Sequence, residues 1–124
     1  MKQVEVILFN ILHMFIHCDF DISEKEEKLI NDAMKELSDS ERLIVNSEIE
    51  KNVQIVSEGF PAMSSRTLEM GKLINDMDGS EEIKYSFLEV IKIMIKIDGI
   101  IHENEKKMFD SLCDLWDVKS KLNI

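Results

Sequence analysis

The chain has 124 residues, of which 44% are hydrophobic and 32% charged, a balance typical of a globular protein. Its 25 acidic and 15 basic side chains give a formal net charge of -10. This charge repels phosphate backbones, so nucleic acid is not an expected ligand, whereas basic proteins and divalent cations are. We expect a single domain over residues 1–124, acting on a protein partner.

The cysteines and the N-terminal segment indicate the cellular compartment in which we expect the protein. Cys18 and Cys113 both fall in predicted helices, and a chain that can form this much core does not need a disulfide. The apolar run from Val4 to Phe15 is too short to span a bilayer, and polar residues interrupt it. No signal-peptide pattern follows it. We expect a cytoplasmic protein with no direct membrane insertion.

The first two elements are predicted helices. Over residues 3–18, apolar side chains recur at the i, i+3, i+4 and i+7 spacing of one helical face, and further apolar residues widen this stripe. Ser23 then offers an N-cap, and Glu26 completes a capping box before the second helix. This helix carries apolar residues from Leu29 to Leu37.

The remaining elements are also predicted helices. A capping box at Ser38 and Glu41 opens the third helix, which runs to about residue 57, and Gly59 and Pro61 separate it from the fourth. We expect helices four, five and six over 62–77, 80–97 and 103–116, with Ser80 capping the fifth. In helix three, the apolar residues Leu43, Ile44, Ile49, Val53 and Val56 alternate with charged ones.

An internal repeat organises these helices. Residues 15–26 align with residues 94–105 at a constant offset of 79, as from Asp19 to Asp98. The sequence therefore predicts an all-α bundle of about six to seven helices with two pseudo-symmetric helical hairpins, in which helices one and five pack together. The equivalent pairs expected in the core are Leu8 and Phe87, Leu12 and Ile91, Phe15 and Met94, and Leu29 and Met108.

The two repeated turns are rich in acidic residues, and three interpretations stay open. In the structural one, Gly99 turns the chain in the left-handed conformation and Glu105 reaches back to amides at the next helix start. In the second, the acids gather into oxygen clusters for a hard cation, since Asp19, Asp21 and Ser23 imitate the first, third and fifth positions of a calcium loop. That imitation ends at position six, where Glu24 replaces glycine, and at position twelve, where Ile30 stands. The third is a carboxylate pair for acid–base catalysis.

The histidines of helix one raise a separate alternative. His13 and His17 lie one helical turn apart with Cys18 beside them, a spacing that suits zinc. The acidic residue of a metalloprotease motif is absent between them, so ordinary packing positions on a helix are the preferred explanation and zinc is the alternative. Since the sequence contains no convincing catalytic set, we expect a protein that is not an enzyme.

Residues 97–105, IDGIIHENE, resemble the TerB-like family of tellurite-resistance-associated domains, which repeat the motif apolar-Asp-Gly-x-apolar-x-x-x-Glu between two helices. In the first copy Phe20 replaces the glycine. The resemblance implies a non-enzymatic module in a bacterial stress response, with protein partners that include membrane-associated stress-response components. Its alternative is the binding or sensing of a divalent cation such as calcium. The family's acidic positions fall on Asp19, Asp21, Glu26, Asp98 and Glu105.

Overall fold

A computed structural model of the chain describes residues 3–18, 24–97, 99 and 101–118, with the side chains of residues 26 and 30 excepted. Within these residues the chain forms six α-helices and no strand, which confirms the predicted all-α bundle. No helix of the described part is long and apolar enough to cross a membrane. The helices are α1 (Gln3–His17), α2 (Glu24–Lys35), α3 (Asp39–Ser57), α4 (Phe60–Asn75), α5 (Ser80–Lys96) and α6 (Glu103–Leu115).

Local signals fix most helix ends. The predicted capping box is present: the Ser38 backbone N–H donates to Glu41 Oε1 at 3.0 Å, and the Glu41 N–H donates to Ser38 Oγ at 3.3 Å. One prediction is wrong, because Ser80 is the first residue of α5 and the cap is Gly79 in the left-handed conformation. The predicted box at Ser23 and Glu26 involves groups outside the described residues.

Helices α1 and α4 lie at the centre of the bundle. α1 packs against α4, α3 and α5, and α4 also packs against α3, α5 and α6. The contact expected between α1 and α5 is present, but α1 packs more extensively on α4 and α3. Six of the fully buried side chains of this core are Ile11, Phe15, Met63, Ile91, Met94 and Phe109.

A close approach of α4 and α6 depends on Gly71. Trp116 Nε1 donates a hydrogen bond of 2.9 Å to the Gly71 carbonyl oxygen. A Cβ atom at Gly71 would lie 2.7 Å from Leu112 Cδ1 and 2.9 Å from Leu115 Cδ2, closer than Cβ contacts normally come. The absence of a side chain on α4 therefore lets α6 pack directly on its backbone.

The buried side of α3 does not coincide with its apolar residues. Leu43 and Val53 are 72% and 62% exposed, whereas Val45 and Asn52 are buried. The inner stripe of α3 includes the polar residues Glu48 and Asn52, so the apolar residues of this helix do not mark its core side. Apolar spacing indicates the buried face only where that face is apolar.

The four equivalent pairs of the repeat are not equally buried. Phe15 and Met94 are both fully buried. In the other three pairs the residue of the second copy is buried, and the residue of the first copy is only partly buried. The first hairpin includes α2, which has no fully buried side chain among those described. The rotational relation of the hairpins stays a prediction.

Candidate functional site

Glu105 is the predicted site residue whose surroundings the structure describes. Asp19, Asp21 and Asp98 lie outside the described residues, and so does the side chain of Glu26. Glu105 is 2% exposed, and its Oε1 accepts a hydrogen bond of 3.1 Å from the backbone N–H of His102 at the start of α6. Its predicted role as a helix cap is thereby confirmed.

The helix ends that flank the two acidic turns lie side by side. Asn104 Nδ2 donates a hydrogen bond of 2.7 Å to the Cys18 carbonyl oxygen, which joins the start of α6 to the end of α1. Gly99 has a φ of 79°, as the predicted left-handed turn requires. Within the described residues, no three His, Cys, Asp or Glu side chains are grouped to hold a metal ion.

A buried polar network lies between α1, α3 and α4. Asn10 and Asn52 are fully buried, and Asn52 Nδ2 donates to Asn10 Oδ1 at 2.8 Å. Asn10 Nδ2 in turn donates to Val6 O at 3.0 Å and to Glu48 Oε2 at 3.2 Å. Arg66 closes the network, because its terminal nitrogen lies 3.3 Å from Glu48 Oε2. Three helices are thus joined through one set of polar side chains.

His13 extends the network toward the surface of α1. Asn52 Nδ2 lies 3.2 Å from His13 Nδ1, and an amide nitrogen can only donate, so Nδ1 is the acceptor and the proton resides on Nε2. Burial, followed by the nearby His17, lowers the pKa of His13 to about 4. The zinc alternative at His13 and His17 would require a proton on Nδ1 when Nε2 binds metal, which breaks this hydrogen bond.

Two buried atoms of the network lack a hydrogen-bond partner among the described residues: Asn52 Oδ1 and Arg66 Nε. This network was not predicted, because in the sequence Asn10 is one of the polar residues that interrupt the apolar run from Val4 to Phe15. The available signal was the spacing, since Val45, Glu48 and Asn52 follow the i, i+3 and i+7 positions of one face.

An apolar cleft opens between α1, α2 and α3. Its volume is about 200 Å³, and we call it the α1–α2–α3 cleft. Its lining includes Glu5, Leu8, Leu12, Met34, Leu37 and Val45. A cleft with this lining suits an apolar group rather than a charged substrate.

The turn between α4 and α5 and the end of α6 form an exposed acidic surface. We call it the acidic end and define it as Asp76, Asp78, Glu81, Glu82 and Asp117, all exposed. Glu81 and Asp117 meet at a cleft of about 80 Å³ between α5 and the end of α6, which Lys84 also lines. In the described part of the chain, no ion pair involves these carboxylates. The 17 residues of α5 place this surface about 25 Å from the turn that precedes α6.

No model of a known protein family matches the chain, and no solved structure matches it. A proposed glutamate–cysteine ligase 2-1 of Legionella pneumophila (strain Corby) is 32% identical over 85 residues, which are 68% of this chain and 21% of the relative. The chain therefore spans about a fifth of that relative's length, and the name describes the relative.

Proposed function

We propose that the chain is a non-enzymatic interaction module of the TerB-like kind, which binds a basic protein partner through the acidic end. The observation that carries this proposal is the group of five exposed carboxylates without a cationic partner in the described part of the chain. Such a surface attracts lysine- and arginine-rich segments and speeds their association. The net charge of -10 acts in the same direction at longer range.

The cellular setting of the proposal comes from the family resemblance. It is a bacterial stress response similar to tellurite resistance, in the cytoplasm, with membrane-associated stress-response components among the partners. Two features agree with the motif that carries the resemblance: Gly99 has the left-handed conformation, and Glu105 caps the helix that follows. Both are local features of a helical turn, so they support the resemblance without identifying the partner.

Calorimetric titration with decalysine tests the proposal. In the double variant Glu81→Lys and Glu82→Lys, affinity for decalysine should fall by about tenfold or more, because two new lysines offset most of the negative charge of the acidic end. The matched control is Glu27→Lys with Glu50→Lys, which changes the net charge equally at exposed positions on α2 and α3. Equal losses in both variants would mean that net charge alone attracts the peptide, and the acidic end would lose its assigned role.

Divalent-cation binding at the repeated turns is the second candidate function. It is favoured by the hydrogen bond from Asn104 to Cys18, which brings the helix ends flanking the two acidic turns together. Millimolar calcium or zinc should then raise the melting temperature and shift amide resonances near Asp19 and Asp98. If neither ion does so, this candidate is wrong.

A further inference from the structure

We infer that α2 is a cover that Arg42 holds closed on the bundle, and that it opens as one unit while α1, α3, α4, α5 and α6 stay packed. The opening uncovers the apolar sides of α1 and α3 that line the α1–α2–α3 cleft. Elements of low local stability open in this way without unfolding of the whole domain, and they are the elements that move when a protein changes its conformation.

The closely packed helix pairs do not include α2. In the described part of the chain these pairs are α1 with α3, α4 and α5, and α4 with α3, α5 and α6, so each of them contains one of the two central helices. Helix α2 therefore lies outside the packed part of the bundle. Its movement away from α1 and α3 would leave every one of these pairs intact.

The side of α2 that faces the bundle is only partly removed from water. Leu29 and Met34 are half-buried, and Ala33 is exposed although it lines the α1–α2–α3 cleft. None of the side chains of α2 that the structure describes is buried. Because apolar burial stabilises in proportion to the area covered, these side chains contribute little to the attachment of α2.

Unfilled space lies on two sides of α2. The α1–α2–α3 cleft, of about 200 Å³, lies beside Ala33 and Met34. A second cleft, of about 270 Å³, lies between Leu29 and Ile97, which follows α5. Side chains beside a gap lose the dispersion contacts that a filled interior provides. The closed position of α2 is therefore weakly held on both sides.

Two hydrogen bonds from Arg42 supply a specific attachment. Arg42 Nε donates to the Met34 carbonyl oxygen and Arg42 Nη2 to the Lys35 carbonyl oxygen, each at 3.2 Å. Hydrogen bonds from a charged donor contribute more than those between neutral groups. They join the end of α2 to α3, whose start is fixed independently by the capping box at Ser38 and Glu41. The opening therefore pivots at the turn between the two helices, and α3 keeps its own start.

Native-state hydrogen exchange tests the inference, because each amide reports the equilibrium of the opening that exposes it. The α2 amides from Lys28 to Lys35 should have similar protection factors, at least about a hundredfold lower than those of the α4 amides from Arg66 to Ile74. Equal protection of the two helices would overturn the inference, since α2 would then open only with the whole bundle. A steady decline of protection toward one end of α2 would also overturn it, because it indicates fraying.

The variant Ile74→Val separates local opening from global unfolding. It removes one methyl group from a fully buried side chain of α4 and should lower the protection of the α4 amides by about fivefold. The α2 amides should keep their protection within about twofold, because the open state retains the packing of α4. An equal loss in both helices would contradict a separate opening of α2.

The variant Arg42→Ala tests what holds α2 closed. It should lower the protection of the α2 amides by about tenfold, because both hydrogen bonds to α2 carbonyl groups are lost. The matched control, Asp39→Asn, removes the ion pair that Arg42 makes at 3.8 Å and leaves those bonds in place, so the protection of α2 should not change. If both variants leave the protection of α2 unchanged, Arg42 does not hold the cover and the inference is wrong.

Discussion

Asn52 and Asn10 are both fully buried, and the amide nitrogen of Asn52 donates a 2.8 Å hydrogen bond to the amide oxygen of Asn10. This bond joins α3 to α1 at a place where most helical bundles use apolar side chains. Buried polar groups are costly unless they are paired, so each member of the network depends on the others.

Replacing Asn52 by alanine should therefore destabilise the protein by about 2 to 4 kcal/mol. The substitution removes a donor that serves both Asn10 Oδ1 and His13 Nδ1, and it leaves a small void. Urea unfolding followed by circular dichroism measures the change. Asn46→Ala, at an exposed position on the same helix, should change the free energy of unfolding by less than about 0.5 kcal/mol. Similar values for both variants would contradict the account of the network.

Stability should depend on pH through His13. Its pKa is about 4 in the folded protein and about 6.5 in the unfolded chain, so the unfolded chain binds more protons between these values. The contribution of neutral His13 to the free energy of unfolding is fully present above pH 6.5 and is lost as the pH falls toward 4. Because the His13 ring is partly exposed, we expect this contribution to be about 1 to 2 kcal/mol.

The variant His13→Gln isolates this effect from the titration of carboxylates. Glutamine can still accept the hydrogen bond from Asn52, but it carries no titrating group. The decline in the free energy of unfolding from about pH 6.5 to about pH 5 should be smaller in the variant than in the wild type. Parallel curves for the two proteins would mean that His13 is not held neutral by its burial.

The approach of α4 to α6 gives a third prediction. Gly71→Ala should destabilise the protein by about 1 to 2 kcal/mol, because overpacking against Leu112 and Leu115 outweighs the better helix propensity of alanine. Thermal unfolding of the variant and the wild type measures this loss of stability. Ser65→Ala, at an exposed position of the same helix, should be neutral or slightly stabilising. A stabilised Gly71→Ala variant would show that α6 can move away freely.

Added salt should stabilise the protein. Most described ion pairs are exposed pairs one turn apart on a helix, which contribute little, whereas the acidic end places five carboxylates around one lysine, Lys84. Screening of this repulsion should raise the melting temperature as ionic strength increases from about 20 mM to about 300 mM. A fall over the same range would mean that attractive pairs dominate, and the acidic end could not be considered a vacant binding surface.

The sequence predicts what is decided locally. The capping box at Ser38 and Glu41 and the cap by Glu105 depend on neighbours within one turn, so their prediction was correct. The inner face of α3 was missed, because its buried residue Asn52 pairs with Asn10, 42 positions away in the chain. The α1–α2–α3 cleft was missed for a similar reason, since its lining residues come from three helices and are far apart in the sequence.

The claim that the acidic end binds a basic partner is tested most directly by amide chemical-shift mapping with decalysine at low and high salt. The account predicts shifts centred on the amides of Asp76, Asp78, Glu81, Glu82 and Asp117, which weaken as ionic strength rises from about 20 mM to about 300 mM. Shifts centred instead on the turn that precedes α6, or no shifts at low salt, would contradict it.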